Sequence, residues 1–320
     1  MIRVGIIGGA GYTAGELIRI LVFHPEVELT FVHSESNTGN ALWEVHEGLV
    51  GDTGLHFCSE FNLDDIDVLF LCSAHGKSQS FWAEHAKPAG LKIIDLAQDY
   101  RDEKDGYVYG LPEWQGDRIQ SADKVANPGC FATAIQLALL PLATAGLLSG
   151  EIHVTAVTGS TGAGVKPAPT THFSWRTDNL STYKVFTHQH LIEIRRTLGL
   201  LQPGLQAPIH FIPMRGDFAR GIFATLTLPC GLSQEAVTDL YQKYYANAPF
   251  TWVSNRPVDL KQVVNTNKCL LYPEIHDGQL VITSVIDNLL KGASGQAVQN
   301  MNLVCGLPED TGLKLKASAF

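Results

Sequence analysis

The beginning of the chain constrains its fold more than any other stretch. An apolar, β-rich run at residues 3–7 leads into a glycine turn with the pattern Gly8-x-x-Gly11-x-x-Ala14, and residues 16–23 are predicted to form a helix. A strand, a glycine turn and a helix in this order open a βαβ unit that binds a dinucleotide, because backbone N–H groups at the helix start hold the pyrophosphate. The glycine pattern alone is weak evidence, and its position between a strand and a helix strengthens it.

The following segments continue this alternation. Residues 67–72 form a continuous apolar run, typical of a strand buried on both faces of a parallel sheet. A helix is predicted at 78–87 and a further strand at 92–96. The alternation to about residue 126 therefore predicts a doubly wound α/β domain. His75 follows the first of these strands, at the carboxyl end where such sheets bind ligands, and is a candidate cofactor contact.

The end of a second strand, at residues 28–33, bears on the choice of cofactor. A site selective for NAD usually presents an acid here to the ribose 2′-hydroxyl. This chain presents the hydroxyls of Ser34 and Ser36, with Glu35 between them. The pattern favours a 2′-phosphate and hence NADP, although the same residues could form an ordinary turn and NADH stays an alternative.

Composition excludes several classes of protein. The chain has 320 residues, of which 45% are hydrophobic and 17% charged, which is typical of a globular protein large enough for two domains. A net charge of −9 without a Lys/Arg run argues against a nucleic-acid or anionic-membrane surface. No apolar stretch approaches the length of a membrane span, and the opening residues lack the pattern of a secretory signal. Six scattered cysteines without a CxxC pair then predict reduced thiols, no metal site built on cysteines, and a cytoplasmic location.

The most informative cysteine follows a tight turn. In Asn127-Pro128-Gly129-Cys130 the Pro and Gly favour a turn, and the next ten residues are good helix formers that we expect to end at Pro141. Cys130 is therefore placed at a helix N-terminus, where unpaired N–H groups and the helix dipole favour a thiolate. Most free cysteines are simply small buried hydrophobes. Whether Cys130 is a nucleophile or a small buried hydrophobe therefore depends on which side chains lie close to it.

After this helix the pattern changes. We predict strands at residues 151–158, 210–213, 221–228 and 279–286, and helices at 233–246 and 288–304. A glycine-rich loop at 159–164 resembles a phosphate-binding P-loop only superficially, because Val165 separates Gly164 from Lys166 and the Walker spacing fails. No linker or repeat marks a domain boundary, so we place it near residue 128 on the change of pattern.

His188, His190 and Glu193 form the second chemical cluster of the sequence. One hypothesis is zinc ligation, since His-x-His occurs in metal sites, but no further ligand is spaced to complete the set. A second is a solvated polar helix start. A third is a base close to Cys130, since imidazole accepts and returns a proton at neutral pH and a carboxylate can orient it.

Five motifs, in order along nearly the whole chain, match a known family. They are Gly-x-x-Gly-Tyr-Thr from Gly8 to Thr13, Tyr-Gly-Leu-Pro-Glu from Tyr109 to Glu113, Asn-Pro-Gly-Cys from Asn127 to Cys130, His-x-His-x-x-Glu from His188 to Glu193, and Asn-Leu-x-Lys-Gly-Ala-x-Gly-Gln-Ala from Asn288 to Ala297. Any one of them could arise by chance, and the set is specific. The chain thus resembles the N-acetyl-γ-glutamyl-phosphate reductases of arginine biosynthesis, in the superfamily of aspartate-semialdehyde and glyceraldehyde-3-phosphate dehydrogenases.

The resemblance implies a two-domain fold. Residues 1–127 and 288–320 would form a Rossmann-type domain that binds NADPH. Residues 128–287 would form an α+β domain with a largely antiparallel sheet, used for catalysis, substrate binding and assembly into a homodimer or homotetramer. The chain departs from the family where Ala14 replaces a frequent Gly and where Val165 follows the second glycine loop in place of a frequent Arg.

The resemblance also implies the roles of individual residues. Cys130 would be the nucleophile that forms a thioester with an acyl phosphate, and His190 the acid and base, supported by His188 and Glu193. The predicted cofactor contacts are Gly8, Gly11, Tyr12 and Thr13 in the first motif, Asn288 and Lys291 in the last, and Ser34, Ser36 and His75 at the strand ends. The predicted substrate contacts are Glu113, Ser160, Thr161 and Gly162, where the amides of the 159–164 loop could hold phosphate oxygens. No metal is implied.

Several alternatives stay open at this point. The same chemistry could act on an N-succinyl-glutamyl, aminoadipyl or aspartyl phosphate, with Arg101 or Arg215 as a candidate contact for an added carboxylate. The substrate phosphate could be held by loop amides, by Lys166 or by another basic residue. A catalytically silent dinucleotide-binding regulator would be expected to lack Cys130 or His190, and a zinc hydrolase would use His188 and His190.

Overall fold

The computed structural model describes residues 1–74 and 76–318. The chain divides into two compact units, Met1–Pro128 with Ala293–Lys314, and Gly129–Gly292 with the residues from Leu315. The return of the chain to the first domain, expected from the sequence at residue 288, is at Ala293. Within the described residues, no helix combines the length and apolar character needed to cross a membrane.

The strands are β1 (Ile2–Ile7), β2 (Val27–His33), β3 (Phe57–Cys58), β4 (Val68–Leu71), β5 (Lys92–Asp95), β6 (Val108–Tyr109), β7 (Lys124–Ala126), β8 (Ile152–Thr158), β9 (Ser181–Thr182), β10 (Ile209–Arg215), β11 (Ile222–Pro229), β12 (Thr251–Val253), β13 (Cys269–His276) and β14 (Gln279–Ile286). The α-helices are α1 (Tyr12–Leu21), α2 (Leu42–Val45), α3 (Lys77–Glu84), α4 (Pro112–Gln120), α5 (Cys130–Thr144), α6 (Phe173–Arg176), α7 (His190–Leu201), α8 (Gln234–Tyr244) and α9 (Ser294–Val304). Short 3₁₀ turns include Glu35–Asn37 and Ser160–Ala163.

The first unit is built on a parallel sheet with the strand order β3-β2-β1-β4-β5-β7-β6. The order reverses between β1 and β4, and ligands of doubly wound sheets bind at the carboxyl ends of the strands at such a point. The fold predicted for this part of the chain is therefore confirmed. Strand β4 is buried at every position, as its continuous apolar pattern predicted.

The second unit contains a mixed sheet with the order β12-β13-β14-β11-β8-β10-β9. β13, β14, β11 and β8 pair antiparallel in succession, whereas β8 with β10 and β12 with β13 are parallel pairs. The prediction of a largely antiparallel sheet is confirmed. Strand β13 was not predicted from the sequence, and it pairs with β14 in register from Cys269 opposite Ile286 to His276 opposite Gln279.

Helix α5 does not end at Pro141, as the sequence predicted, but continues to Thr144. Proline lacks the N–H that would bond to the carbonyl of residue 137, and its ring also crowds the preceding turn. Two tyrosines of the second unit compensate, because the hydroxyl of Tyr245 donates to the carbonyl of Leu137 and that of Tyr241 donates to the carbonyl of Ala138. The carbonyls next to the proline thus keep donors, and the helix passes through it.

Two further helix predictions had wrong boundaries. Helix α1 begins at Tyr12, four residues before the predicted start. The helix predicted from residue 288 begins only at Ser294. In the preceding segment the carboxylate of Asp287 accepts the N–H groups of Leu289 and Leu290 at 2.8 and 3.2 Å, and this turn replaces the helix.

Candidate active site

Cys130 is the first residue of α5, which is almost entirely buried. Gly129 precedes it with an extended backbone (φ −73°, ψ 151°), and its N–H donates to Oε2 of Glu193 at 3.1 Å. A Cβ on Gly129 would lie 2.2 Å from Nε2 of His190. The backbone beside Cys130 therefore contacts both the imidazole of His190 and the carboxylate of Glu193.

His190 and Glu193 lie one turn apart at the start of α7, so both side chains are on the same face of the helix. Nε2 of His190 is 4.0 Å from Oε1 of Glu193, and the two residues are only 6% and 5% exposed. One carboxylate oxygen thus accepts from the Gly129 amide while the other is near the imidazole. The structure thus places the side chains of His190 and Glu193 against the residue that precedes Cys130.

His188 is a neutral support for this arrangement. Burial, with the positive charges of Lys184 and Arg215, lowers the pKa of His188 to about 4. Its Nδ1 accepts the backbone N–H of His190 at 3.2 Å, so the ring proton is on Nε2. His188 therefore stays uncharged at neutral pH and orders the start of α7.

Zinc ligation finds no support in this geometry. Across residues 1–74 and 76–318, no three His, Cys, Asp or Glu side chains are grouped so that they could hold a metal ion. The six cysteines, all of them within that part of the chain, are free thiols.

Tyr183 and Arg215 form a stacked pair in the second unit. The guanidinium of Arg215 stacks on the ring of Tyr183 at 4.7 Å from its centroid. Burial, and then the neighbouring Cys130, raise the pKa of Tyr183, and Arg215 partly offsets the effect. Nε of Arg215 is buried and has no hydrogen-bond partner among the described residues. Arg215 was predicted from the sequence only as one candidate contact, and Tyr183 was missed because no motif or spacing singled it out.

The other basic candidates have different surroundings. Arg101, in the first unit, donates from Nε to the carbonyl of Asn127 at 2.9 Å and from Nη2 to the carbonyl of Leu96 at 3.2 Å. Lys166 is exposed on the loop after Gly164. Of these three candidates, Arg215 is the one with a buried donor, Nε, that lacks a hydrogen-bond partner among the described residues.

The glycine loop before Lys166 is held by the protein itself. The amides of Ser160, Thr161 and Gly162 donate to the carbonyls of Phe218, Ala219 and Gly159 at 2.8, 3.1 and 3.3 Å. This arrangement contradicts the expectation that these amides form a free anion-binding nest. Thr161 also donates from its hydroxyl to the carbonyl of Ala219 at 2.6 Å, which fixes the loop against its neighbour.

The predicted residues of the 288–292 segment belong to the second unit. Nδ2 of Asn288 donates to the hydroxyl of Thr161 at 3.0 Å, and Lys291 is fully buried. A Cβ on Gly292 would lie 2.8 Å from Cβ of Cys130. This segment therefore borders the cysteine.

The first unit has a cavity of about 780 Å³ at the carboxyl end of its sheet. The residues that line it include Gly8 and Gly11 of the glycine turn, Ser34 and Ser36 after β2, and Lys77 at the start of α3. Gly8 has a φ of +84°, and a Cβ there would be 2.9 Å from the backbone of Cys72. Gly11 immediately precedes α1, and a Cβ there would meet no atom within 4 Å. A tight turn, open space at a helix N-terminus and a cavity of this volume fit a dinucleotide.

The hydroxyls at the end of β2 are oriented by a neighbour. Nδ2 of Asn37 donates to the hydroxyl oxygens of Ser34 and Ser36 at 3.3 and 3.0 Å. The two hydroxyl oxygens are also 3.4 Å apart, so one O–H can donate to the other serine while the second is left for another acceptor, such as a phosphate oxygen. Ser34 is 7% exposed and Ser36 is exposed. Both are suited to a 2′-phosphate.

The remaining predicted residues are also in the first unit. Tyr12 and Thr13 begin α1, and the carbonyl of Thr13 accepts the hydroxyl of Ser294 at 2.7 Å. Glu113 lies in the first turn of α4. His75 lies outside the described residues.

Comparisons with known proteins agree with both units. Residues 3–122 match the family model "Semialdehyde dehydrogenase, NAD binding domain", and residues 130–288 match "Semialdehyde dehydrogenase, dimerisation domain". Aspartate semialdehyde dehydrogenase II of Vibrio cholerae, solved with ASA, has a TM-score of 0.74 at 17% identity, covering 96% of this chain and 98% of its own. The enzyme of Candida albicans, solved with NADP, has a TM-score of 0.72 at 16% identity, covering 95% and 98%. At these identities the likeness establishes the fold.

Sequence relatives establish the family more closely. N-acetyl-gamma-glutamyl-phosphate reductases of Parabacteroides distasonis and Phocaeicola vulgatus are each 57% identical to this chain over the full length of both proteins. That of Flavobacterium johnsoniae is 53% identical, again over both full lengths. The chain therefore belongs to the N-acetyl-γ-glutamyl-phosphate reductase family of semialdehyde dehydrogenases.

Proposed function

We propose that this enzyme reduces N-acetyl-γ-glutamyl phosphate to N-acetylglutamate semialdehyde with NADPH, a step of arginine biosynthesis, through a thioester on Cys130. The names of the full-length relatives support the substrate. The observation that supports the chemistry is the contact of Gly129, the residue before Cys130, with both His190 and Glu193. A nucleophile next to a base that is itself oriented by a carboxylate is the usual arrangement for covalent catalysis.

The first half of the reaction forms the thioester. His190 accepts the thiol proton of Cys130, and the thiolate attacks the carbonyl carbon of the acyl phosphate. The bond from that carbon to the phosphate oxygen breaks, and inorganic phosphate leaves. Glu193 holds the imidazole near the cysteine and stabilises its charged form, at a separation of 4.0 Å from Nε2.

The second half of the reaction releases the aldehyde. When bound, NADPH supplies the hydride that reduces the thioester carbonyl. His190 donates its proton to the resulting oxyanion on the Cys130 thiohemiacetal. It accepts that proton again as the carbon–sulfur bond breaks, which yields the semialdehyde and regenerates the thiolate.

Arg215 is the residue that we propose for recognition of an anionic group of the substrate. Its buried Nε lacks a hydrogen-bond partner among the described residues, and its guanidinium stacks on Tyr183, whose pKa is raised by burial and in part by the charge of Cys130. A positioned guanidinium binds carboxylate or phosphate with good geometry. Ser160, Thr161, Gly162 and Glu113 stay proposed substrate contacts, of which the first three act through side chains or shape, because their amides are already bonded.

The cofactor assignments follow from the cavity of the first unit. Gly8, Gly11, Tyr12 and Thr13 would contact the pyrophosphate, and Ser34 and Ser36 the 2′-phosphate. Asn288 and Lys291 complete the proposed set on the strength of the family motifs, and His75 on its position in the sequence after a strand of the sheet.

We propose a homodimer or homotetramer in the cytoplasm. The family model for residues 130–288 is named as a dimerisation domain. The face of the second sheet that carries Val157, Ile212, Met214 and Val281 is only half-buried in one chain, so it offers apolar surface to a second copy. Light scattering coupled to size-exclusion chromatography would measure the assembly, and a monomer at micromolar concentration would contradict this part of the proposal.

The experiment that tests the function is phosphate-dependent reduction of NADP⁺ by the purified enzyme. N-acetylglutamate semialdehyde and N-succinylglutamate semialdehyde are compared, with wild type, Cys130→Ser and the control Cys230→Ser, which removes a thiol at the end of β11. We expect turnover of the acetyl compound, abolished by the first substitution and retained by the second. Absence of phosphate-dependent turnover with either aldehyde would overturn the proposal, and turnover of the succinyl compound alone would change the acyl group.

A further inference from the structure

An ion pair in the second unit lies outside the residues assigned so far. Nε and Nη2 of Arg220 are 3.1 and 3.0 Å from Oδ2 of Asp287. The Asp287 side chain is fully buried, and that of Arg220 is 21% exposed. Solvent therefore screens this pair weakly, and its geometry is constrained by the hydrogen bond from Nε together with the close approach of Nη2 from the same guanidinium.

The same carboxylate organises the backbone around it. Oδ1 accepts the amides of Leu289 and Leu290 at 2.8 and 3.2 Å, and Oδ2 also accepts the amide of Asn265 at 2.7 Å. A buried carboxylate needs such donors to offset its desolvation. Asp287 thus joins three separate stretches of chain, which contain Arg220, Asn265 and the turn after β14.

That turn reaches Cys130. The amide of Gly292 donates to the carbonyl of Asp287 at 2.9 Å and closes the turn. A Cβ on Gly292 would lie 2.8 Å from Cβ of Cys130 and 2.6 Å from the carbonyl oxygen of Asn288. The backbone of the turn therefore packs directly against the side chain of the cysteine, and a shift of the turn would alter the space around the sulfur.

The turn also supports the neighbouring loop. Oδ1 of Asn288 accepts the amide of Gly221 at 2.7 Å, next to Arg220 in the chain, and Nδ2 donates to Thr161. The ion pair, the turn and the 159–164 loop are thus connected by hydrogen bonds whose geometry depends on Asp287.

We infer that Arg220 and Asp287 are positioning residues that hold the 287–292 turn against Cys130 and so fix the orientation of its sulfur. The inference rests on the proposed role of Cys130 as nucleophile. Buried ion pairs contribute little net stability compared with apolar replacements of similar size, whereas removal of one partner leaves a buried charge without compensation. We therefore expect the Arg220–Asp287 pair to act on the position of the 287–292 turn. Displacement of a reacting group by about 1 Å can lower the rate about 100-fold.

The test uses Asp287→Asn, Arg220→Met and Arg220→Lys in the full-length enzyme. Two experiments are made. The first measures kcat and KM of the phosphate-dependent reaction. The second measures the rate at which iodoacetamide alkylates Cys130, by mass spectrometry of its peptide, because the chain has five other free thiols. We expect Asp287→Asn and Arg220→Met to lower kcat at least about tenfold, with KM changed less than about threefold. The alkylation rate should change as well, and Arg220→Lys should recover part of both.

The control is Asp67→Asn, which breaks the exposed pair that Arg3 and Asp67 form in the first unit at 2.8 Å. It should leave kcat and alkylation unchanged. The inference is overturned if the variants of Arg220 and Asp287 lower only the melting temperature while the folded enzyme keeps wild-type kcat and alkylation. If Asp287→Asn does not fold, the two Arg220 variants decide. If wild type has no phosphate-dependent activity, the proposed function fails and the alkylation rates still test the positioning.

Discussion

Gly129 and His190 are in direct contact, and the space that a side chain would take at position 129 is filled by the imidazole, because a Cβ there would be 2.2 Å from Nε2. The backbone of Gly129 has φ −73° and ψ 151°, which any residue can adopt. Glycine is therefore required here for space and not for conformation. It lets the imidazole lie against the backbone that precedes the nucleophile.

Gly129→Ala should displace His190 and lower kcat at least about tenfold without unfolding the enzyme, since a displacement of about 1 Å suffices for a large loss. Steady-state kinetics and circular dichroism measure the two effects. The control is Gly199→Ala in the same helix α7, where a Cβ would meet nothing within 4 Å and where alanine should stabilise the helix by about 0.5–1 kcal/mol. Wild-type kcat in Gly129→Ala would show that the contact is irrelevant to catalysis.

His188 should make stability depend on pH. Its pKa is lowered from 6.5 to about 4, so between these values the unfolded chain binds a proton that the folded chain does not. The free energy of unfolding should therefore fall by about 3 kcal/mol as the pH drops from 7 to 4, through this group alone. His188→Asn keeps an acceptor for the His190 amide and removes the titration. Urea unfolding at several pH values should show a smaller loss for the variant, and parallel curves would contradict the prediction.

Asp95 should have the opposite effect. Burial raises the pKa of this carboxyl from 3.8 to about 6, and Oδ2 has no hydrogen-bond partner among the described residues. Folding at pH 7 must therefore bury a charge, at a cost of about 3 kcal/mol that disappears as the pH falls from 6 to 4.

Asp95→Asn tests this cost because its Oδ1 can still accept from the Ser78 hydroxyl and the Ala97 amide. The new amide donor offsets part of the gain, so we expect the variant to be more stable by about 1–2 kcal/mol at pH 7.5 and not at pH 4.5. Thermal unfolding at the two pH values measures it. Equal shifts at both values would exclude a titration effect.

The tyrosine that donates next to Pro141 should be energetically coupled to it. Tyr245→Phe leaves the carbonyl of Leu137 without a donor and should cost about 1–2 kcal/mol. With Pro141→Ala the helix supplies an N–H to that carbonyl, so the same tyrosine change should cost less. A double-mutant cycle in urea gives the coupling energy, and a value of zero would mean that the hydroxyl does not compensate for the proline.

Lys77 should contribute to selection of NADP. Among the described residues that line the cavity of the first unit, Lys77 is the one Lys or Arg. Ser34 and Ser36 line the same cavity. Lys77→Ala should weaken binding of 2′,5′-ADP about tenfold and that of 5′-AMP little, since a charged hydrogen bond to the 2′-phosphate is lost. Isothermal titration calorimetry measures both. Lys87→Ala, just beyond α3, is the control, and an equal loss for both nucleotides would refute the selective role.

Much of the fold and part of the site were determined by local sequence patterns. The alternation of apolar runs, glycine turns and helices predicted the parallel sheet, since these patterns encode the structure of the segments that carry them. The turn before Cys130 placed the cysteine at a helix start for the same reason. The family motifs also contained His190 and Glu193, which the structure brings to Gly129.

Tertiary structure decided where helix α5 ends and which residues pair with the buried polar groups, because these depend on contacts between residues far apart in the chain. Helix α5 passes Pro141 because Tyr241 and Tyr245 supply donors to the carbonyls of Ala138 and Leu137, from which they are 103 and 108 positions away in the chain. Tyr183, Arg215 and the pair of Arg220 with Asp287 come from different elements, and no spacing in the sequence relates them to Cys130. Helix and strand periodicity reports which face of a segment is buried, but the partners of a buried charge or carbonyl are set by packing between segments.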